Sequence, residues 1–255
     1  MKIMSYNIRG LGRGLKWASI RKLVKRECVE MLCLQETKKD VMDKALCQAL
    51  WGDSDVKWEL QPECNGAGGI LCMWSEQIFK LEKKIIGCGF IYLEGIWVAE
   101  GAKVTIVNIY SPCDLALKRS LWEQIRQIRN ANLGGLWCVV GDFNTSRRPS
   151  ERLGVCQRVQ DEKTMKEFNE WIADLEVEDV PCVGRKFTWY RPNGTTKSRL
   201  DKFLVSVEWT VKWQGSTQFI LDRNFSDHCP ILLTSTRNKN KKALAGGTVG
   251  SSTLK

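Results

Sequence analysis

The sequence predicts an α+β domain of two packed β-sheets flanked by helices, and three observations predict it. Short β-type runs outnumber helical segments by more than two to one. Some runs alternate, as in Lys103-Val104-Thr105-Ile106, which suits a sheet face turned toward water or a partner, whereas 136–140 is apolar throughout, which suits a strand covered on both faces. With 255 residues, 43% of them hydrophobic, the chain can bury one substantial core, and nothing in it suggests two equal domains.

Residues 2–6 form the first strand-like run. Trp17, Ile20 and Val24 then share one face of a 3.6-residue repeat, which predicts a helix, and 31–35 is the next strand. Asp40 reads as the N-cap of a helix over 41–51 carrying Met42, Leu46, Ala49 and Leu50. Strand runs follow at 56–60, 68–73, 85–99 and 103–109. Leu117, Leu121, Ile125 and Ile128 mark a helix, 136–140 a strand, and Met165, Phe168, Ile172 and Leu175 another helix. The last strand runs are 186–190, 199–205, 217–221 and 229–234. No solenoid-type repeat is present. After Thr236 the chain turns to Lys/Asn and then Gly/Ser/Thr, so 1–235 reads as the folded domain and 236–255 as a flexible basic tail.

The net charge is +10, and half of it lies in that tail, where Arg237, Lys239, Lys241, Lys242 and Lys255 meet no acid. Such a balance is compatible with an anionic polymer or membrane surface, and equally with no such partner. Eleven cysteines, an odd number with no C-x-x-C pair, point to a reduced intracellular protein rather than a disulfide framework. No apolar segment approaches the ~18 residues a membrane span needs, and no signal-peptide pattern opens the chain. The eleven tryptophans fall largely in periodic apolar positions and read as core rather than base-stacking platforms.

The informative pattern is where the strands stop. The run 2–6 ends in Asn7, 31–35 in Glu36, and 104–109 in Tyr110. The run 136–141 ends in Asp142, with Asn144 two residues on. Strand C-termini are a common place to build a site. Asp201 interrupts a strand-like run, where an unpaired carboxylate is disfavoured. His228, in Ser226-Asp227-His228, is the only histidine, so any mechanism needing an imidazole must use it. Together with Asp227, the carboxylates and amides form a set of hard oxygen donors suited to Mg²⁺ or Mn²⁺, while zinc-type Cys/His pairs are missing. Each residue also has a structural reading: a turn at Gly141-Asp142, a helix cap at Glu36, an Asx-turn at Asn7 and a hydrogen-bonded loop histidine.

Six ordered motifs carry a resemblance: Ser5-Tyr6-Asn7-Ile8-Arg9-Gly10, Leu34-Gln35-Glu36-Thr37, Asn108-Ile109-Tyr110-Ser111-Pro112, Gly141-Asp142-Phe143-Asn144-Thr145, Ser198-Arg199-Leu200-Asp201 and Ser226-Asp227-His228. Over residues 2–235 the chain resembles the endonuclease/exonuclease/phosphatase superfamily. With Phe187-Thr188-Trp189 before the fifth motif, it looks like the apurinic-endonuclease-like domain at the front of plant LINE-type non-LTR retrotransposon polyproteins. The resemblance implies a four-layer αββα sandwich of two mixed sheets flanked by helices. It implies that Glu36 binds the divalent metal, assisted by Asn7 and Asp227, that Asp142 activates water with Asn144, and that Tyr110 contacts the scissile phosphate or leaving oxygen. Asp201 would orient His228, and Thr188 would line the strand-binding surface.

Basic residues follow the motifs closely, namely Arg9, Arg13, Lys38 with Lys39, Arg147, Arg148, Lys197 and Arg199 with Lys202, and on one rim they would cradle a nucleic-acid backbone. Arg9 stands where abasic-repair members usually carry an acid, which favours the retroelement type. The implied activity is Mg²⁺-dependent nicking of double-stranded DNA, leaving a 3′-hydroxyl from which a reverse transcriptase on a longer polyprotein would prime, in the nucleus. Competing readings are a phosphatase or phosphodiesterase on inositol phosphates or phospholipids, and an inactive DNA-binding relic.

Overall fold

The computed structural model describes residues 1–63, 68–132, 134–154 and 159–235. The chain begins with β1 (Lys2–Asn7), α1 (Gly14–Glu27), β2 (Met31–Gln35), α2 (Lys44–Trp51), β3 (Lys57–Gln61) and β4 (Ile70–Trp74). It continues through β5 (Phe79–Gly87), β6 (Phe90–Trp97), β7 (Ala102–Tyr110), α3 (Leu115–Ala131), β8 (Leu136–Asp142), β9 (Arg152–Leu153) and α4 (Val159–Asp174). The short strands β10 (Val177–Asp179), β11 (Cys182–Gly184), β12 (Trp189–Tyr190) and β13 (Lys197–Ser198) follow. Last come β14 (Asp201–Ser206), α5 (Val207–Lys212), β15 (Thr217–Ile220) and β16 (Ile231–Thr234).

A seven-stranded sheet has the order β11-β15-β16-β1-β2-β4-β3, and a six-stranded sheet the order β10-β14-β8-β7-β6-β5. Strands β12, β13 and β9 form a small third sheet. The layer order follows from how side chains alternate along the strands. Ile3, Cys33, Cys72, Ile106, Cys138 and Val140 point between the two large sheets. Met4, Leu32 and Leu34 point the other way, against Leu23 and Val24 of α1 and Leu50 of α2. Val107, Trp137 and Val139 meet Leu121 and Ile125 of α3 and Phe168 and Trp171 of α4. Helices, sheet, sheet and helices are thus stacked as a four-layer αββα sandwich, so both sheets are covered on both faces and their central strands read as nearly unbroken apolar runs. Trp51, Trp74, Trp97, Trp122, Trp137, Trp171, Trp209 and Trp213 are buried, in keeping with a core role.

Several expectations need correction. The cap of α2 is Asp43, whose carboxylate accepts from the Leu46 amide at 2.7 Å, rather than Asp40, so the helix starts later. The run 85–99 is not one strand: β5 and β6 form a hairpin that turns at Cys88-Gly89, with Gly89 at φ +87°. Length of apolar run could not place that turn. The stripe of α3 keeps Leu121 and Ile125 buried and Ile128 packed against them but is wider than expected: Leu117 is 43% exposed, while Lys118, Trp122 and Arg129 are buried. Run 186–190 shrinks to β12, and α5, capped by Ser206, was not foreseen because six residues are too few for a periodicity signal. The expected tail at 236–255 lies outside the described residues.

Two chain features aim this sandwich at one end. Parallel β1/β2 and parallel β7/β8 deliver Asn7, Gln35, Tyr110 and Asp142 at their C-terminal ends. Antiparallel β14 begins at that end, with Asp201 directly opposite Asp142.

Candidate active site

Gly141 lets β8 reach the site. Its φ is +138°, and a Cβ there would lie 2.0 Å from the Ile109 carbonyl oxygen, so only glycine permits β7 and β8 to close up before Asp142. Asp142, 1% exposed, is then held at both oxygens. Oδ1 accepts from the Asn144 amide at 2.9 Å, and Oδ2 accepts from Asn7 Nδ2 at 2.9 Å. Asn144 takes a left-handed φ of +46°, and its side-chain amide donates to the Ser111 carbonyl at 2.8 Å.

Asn7 links the two sheets. Its Nδ2 also donates to Glu36 Oε1 at 3.1 Å, and the same oxygen accepts the Tyr110 hydroxyl at 2.7 Å. Burial and the neighbouring Glu36 push the Tyr110 hydroxyl well above its ordinary value, so it remains a donor. Glu36 itself sits at φ +52°, a backbone conformation that aims its carboxylate back over the strand ends.

His228 arrives from the loop before β16. The Ser226 hydroxyl donates to the Asn7 carbonyl at 2.8 Å and accepts from the His228 amide at 3.1 Å, which ties this loop to β1. The imidazole Nδ1 lies 2.9 Å from Asp201 Oδ2, and Nε2 lies 3.7 Å from Asp142 Oδ2. Burial alone would lower the His228 pKa, but the charges of Asp201 and Asp142 outweigh it and raise it to about 9. The ring is therefore an imidazolium at neutral pH, with Nδ1–H donating to Asp201. For Asp142 burial is the largest influence and raises the pKa to about 6, against the lowering effect of His228.

Seven of the expected site residues thus meet: Asn7, Glu36, Tyr110, Asp142, Asn144, Asp201 and His228. Asp227 stands beside them, its Oδ2 accepting from Arg9 Nη1 at 3.3 Å and Trp189 Nε1 at 3.0 Å. Arg9, Arg13, Lys38 and Arg148 are exposed, and Lys197 is half-buried over the Tyr190 ring at 5.6 Å.

Four expected surface contacts are corrected by burial or by internal pairing. Thr188 is 0% exposed, and its hydroxyl accepts the Leu200 and Asp201 amides at 2.9 and 3.0 Å, so it fixes the start of β14 instead of lining a surface. Arg199 makes a two-point pair with Asp179 at 2.6 and 2.9 Å and also meets Glu151 at 3.1 Å. Arg147 donates to Asn169 at 2.9 Å and lies 3.8 Å from Asp179. Lys202, fully buried, pairs with Glu151 at 3.1 Å. Arg199 and Lys202 thus serve an internal ionic network instead of meeting a backbone phosphate, and Arg147, 21% exposed, is partly drawn into it.

Two lysines escaped sequence reasoning. Lys118 of α3 donates from Nζ to the carbonyls of Phe143 (3.4 Å) and Asn144 (2.5 Å) and to Thr145 Oγ1 (2.7 Å). Burial lowers its pKa to about 8. Lys16 of α1 donates to the Ile8, Arg9 and Gly10 carbonyls at 3.1, 3.3 and 2.7 Å. The available signal was a lysine in the first turn of the helix nearest each motif loop.

The donor set fits a hard divalent cation. Both hydrogen bonds to Glu36 fall on Oε1, leaving Oε2 without a hydrogen-bond donor among the described residues, a hard oxygen suited to such an ion. Asp142, Asp201 and His228 also have ligand atoms within 4.8 Å of one another, a spacing that could hold a metal. Nδ1 of that imidazole is engaged by Asp201, whereas Glu36 Oε2 carries no hydrogen bond among the described residues, so Glu36 is the better anchor.

A model of the endonuclease/exonuclease/phosphatase family matches residues 4–228. The chain belongs to that family. No curated protein matched it. Among solved structures, the AP endonuclease LMAP of Leishmania major aligns with TM-score 0.69 at 20% identity over 91% of this chain and 86% of its own. An AP endonuclease from Archaeoglobus fulgidus aligns with TM-score 0.67 at 14% identity, covering 92% and 99%. The endonuclease domain of TRAS1, a telomere-specific non-LTR retrotransposon, aligns with TM-score 0.65 at 12% identity, covering 91% and 96%. At these identities the likeness is one of fold. Family membership makes the chain one of a group of phosphoester hydrolases, typically dependent on a divalent metal.

Proposed function

We propose that the chain is a Mg²⁺-dependent DNA endonuclease, with Mn²⁺ as a substitute metal, that nicks one strand of double-stranded target DNA for integration of a plant LINE-type retrotransposon. The observation that carries this reading is the buried Asp201–His228 pair at 2.9 Å, set with Nε2 beside Asp142. It is the arrangement a phosphodiester needs: one carboxylate to take a proton from water and one fixed cation to meet the charge that develops on phosphorus oxygens.

Each residue then has a role. Asp142, ionised and gripped through both oxygens, accepts the proton of the attacking water, while Asn144 fixes the water's approach. His228, held by Asp201 with Nδ1 engaged, directs Nε2–H at a non-bridging oxygen. Tyr110, whose hydroxyl reaches Glu36 at 2.7 Å, would donate toward the scissile phosphate or leaving oxygen. Glu36, with Asn7 and Asp227 assisting, would hold the metal, which supplies Lewis-acid screening of the phosphate and stabilisation of the leaving oxygen. Arg9, Arg13, Lys38, Arg148 and Lys197 supply the backbone-contacting rim. Arg9 pairs with Asp227 where abasic-repair members usually place an acid, and this supports an undamaged target over an abasic one.

Cleavage leaves a 3′-hydroxyl, from which a reverse transcriptase on a longer polyprotein would prime within the nucleus. Plasmid nicking tests the reading. Purified protein should convert supercoiled to open-circular DNA in Mg²⁺, stop in EDTA, and leave extendable 3′-hydroxyl ends. Both Asp142→Ala and His228→Ala should abolish nicking, and wild-type cutting by both variants would refute the mechanism.

A further inference from the structure

The turns after β1 and β8 are built alike. In each, the side-chain oxygen of a site residue accepts the amide two residues on, Arg9 N to Asn7 Oδ1 at 3.1 Å and Asn144 N to Asp142 Oδ1 at 2.9 Å. In each, that second residue is a non-glycine at φ +46°, a left-handed conformation that is costly without surrounding support. And in each, a lysine from the first turn of an adjacent helix, α1 just after β1 and α3 just before β8, places its ammonium on the carbonyls of the turn. The two loops lie on different sheets and are joined by the Asn7–Asp142 hydrogen bond.

We infer that Lys118 and Lys16 are positioning residues, which hold the two left-handed turns and thereby fix the Asn7–Asp142 pair relative to the imidazole. The inference rests on the proposed hydrolytic reading. Lys118 is 2% exposed, and a buried ammonium is retained only where its donors are satisfied. Here all three acceptors belong to Phe143, Asn144 and Thr145, directly after Asp142. Packing does not call for a cation at this end of the helix: the nearest stripe positions, Leu121, Trp122 and Ile125, are apolar, and the second buried cation, Arg129, lies three turns away on its own partners. Lys16 is less buried and rests over the Phe225 ring at 5.2 Å, so its replacement perturbs the fold less. A methionine at either position keeps the hydrocarbon stem and removes the donors. An arginine keeps a donor but in a wider planar fork.

The test combines nicking kinetics with amide hydrogen exchange. In Lys118→Met the nicking kcat should fall about 100-fold, the scale expected when reacting groups shift by about an ångström. KM should stay within about twofold, because DNA contacts are untouched. The Asn144 amide should lose protection while the β8 amides of Val139 and Val140 keep theirs. Lys118→Arg should recover most of the lost rate, and Lys16→Met should show the same selective loss at the Arg9 amide with a smaller fall in kcat. An unchanged kcat in Lys118→Met overturns the inference, as does a loss of protection spread equally through β8. If the wild-type protein cuts no DNA with any divalent metal, the hydrolytic reading fails, and the exchange comparison still decides whether the lysines hold the turns.

Discussion

The buried His228 ring holds its proton because Asp201 and Asp142 flank it and outweigh the effect of burial. Asp201 Oδ1 is buried without a hydrogen-bond partner, so the ring is the main compensation for that carboxylate's charge. A histidine whose folded pKa of about 9 lies above its ordinary 6.5 contributes stability that is complete below pH 6.5 and lost as pH rises through 9. The margin by which the metal-free wild type exceeds His228→Gln in denaturant unfolding should therefore shrink between those pH values, by up to about 3 kcal/mol. A margin independent of pH would show that the ring is neutral. The catalytic candidates at this scale were legible in the sequence because each stood at a strand end or interrupted a strand pattern. The lysines were not, since a lysine in a helix reads as solvated whether or not a turn lies within reach of its ammonium.

At the scale of elements, the site depends on how closely strands approach and where helices point their stripes. Gly141 allows β8 to run beside β7 up to Asp142, and Gly141→Ala would drive a methyl group into the Ile109 carbonyl. The variant should lose about 3 kcal/mol or more of stability, read from the denaturant midpoint, and an unfolding curve matching wild type would contradict the register described. Strand positions were largely readable from β-type runs. The hairpin turn at Cys88-Gly89 was not, because Gly87 and Gly89 stand among apolar residues with none of the Asn, Asp or Pro that usually mark a reversal. In α3 the apolar repeat placed Leu121 and Ile125 but misplaced Leu117, for a physical reason. Its buried stripe includes Lys118 and Arg129, and Arg129 is kept there by the Leu175 carbonyl at 3.1 Å and the Trp137 ring at 5.1 Å, contacts no periodicity count contains.

Across the whole molecule, the two sheets meet through a polar seam beneath the site as well as through apolar packing. Gln35 Nε2 donates to Asn108 Oδ1 at 2.6 Å and to Ser5 Oγ at 3.0 Å, joining residues that directly precede or lie two before Asn7, Glu36 and Tyr110. These residues stand inside the motifs, which explains why motif order disclosed the site better than periodicity disclosed the layers. The rim reads differently from the sequence expectation. With Arg199 and Lys202 held internally and Arg147 partly so, the exposed cations are Arg9, Arg13, Lys38 and Arg148. Duplex binding by residues 1–235 should then show a log–log salt slope of about −3 to −4, and a slope near zero would exclude a backbone-tracking surface. The account turns on Asp201 holding His228 against Asp142. Single-turnover nicking of supercoiled plasmid in Mg²⁺ by Asp201→Asn tests it most directly. The predicted result is a rate lower by about 10³-fold or more with DNA affinity retained, and a rate equal to wild type would contradict it.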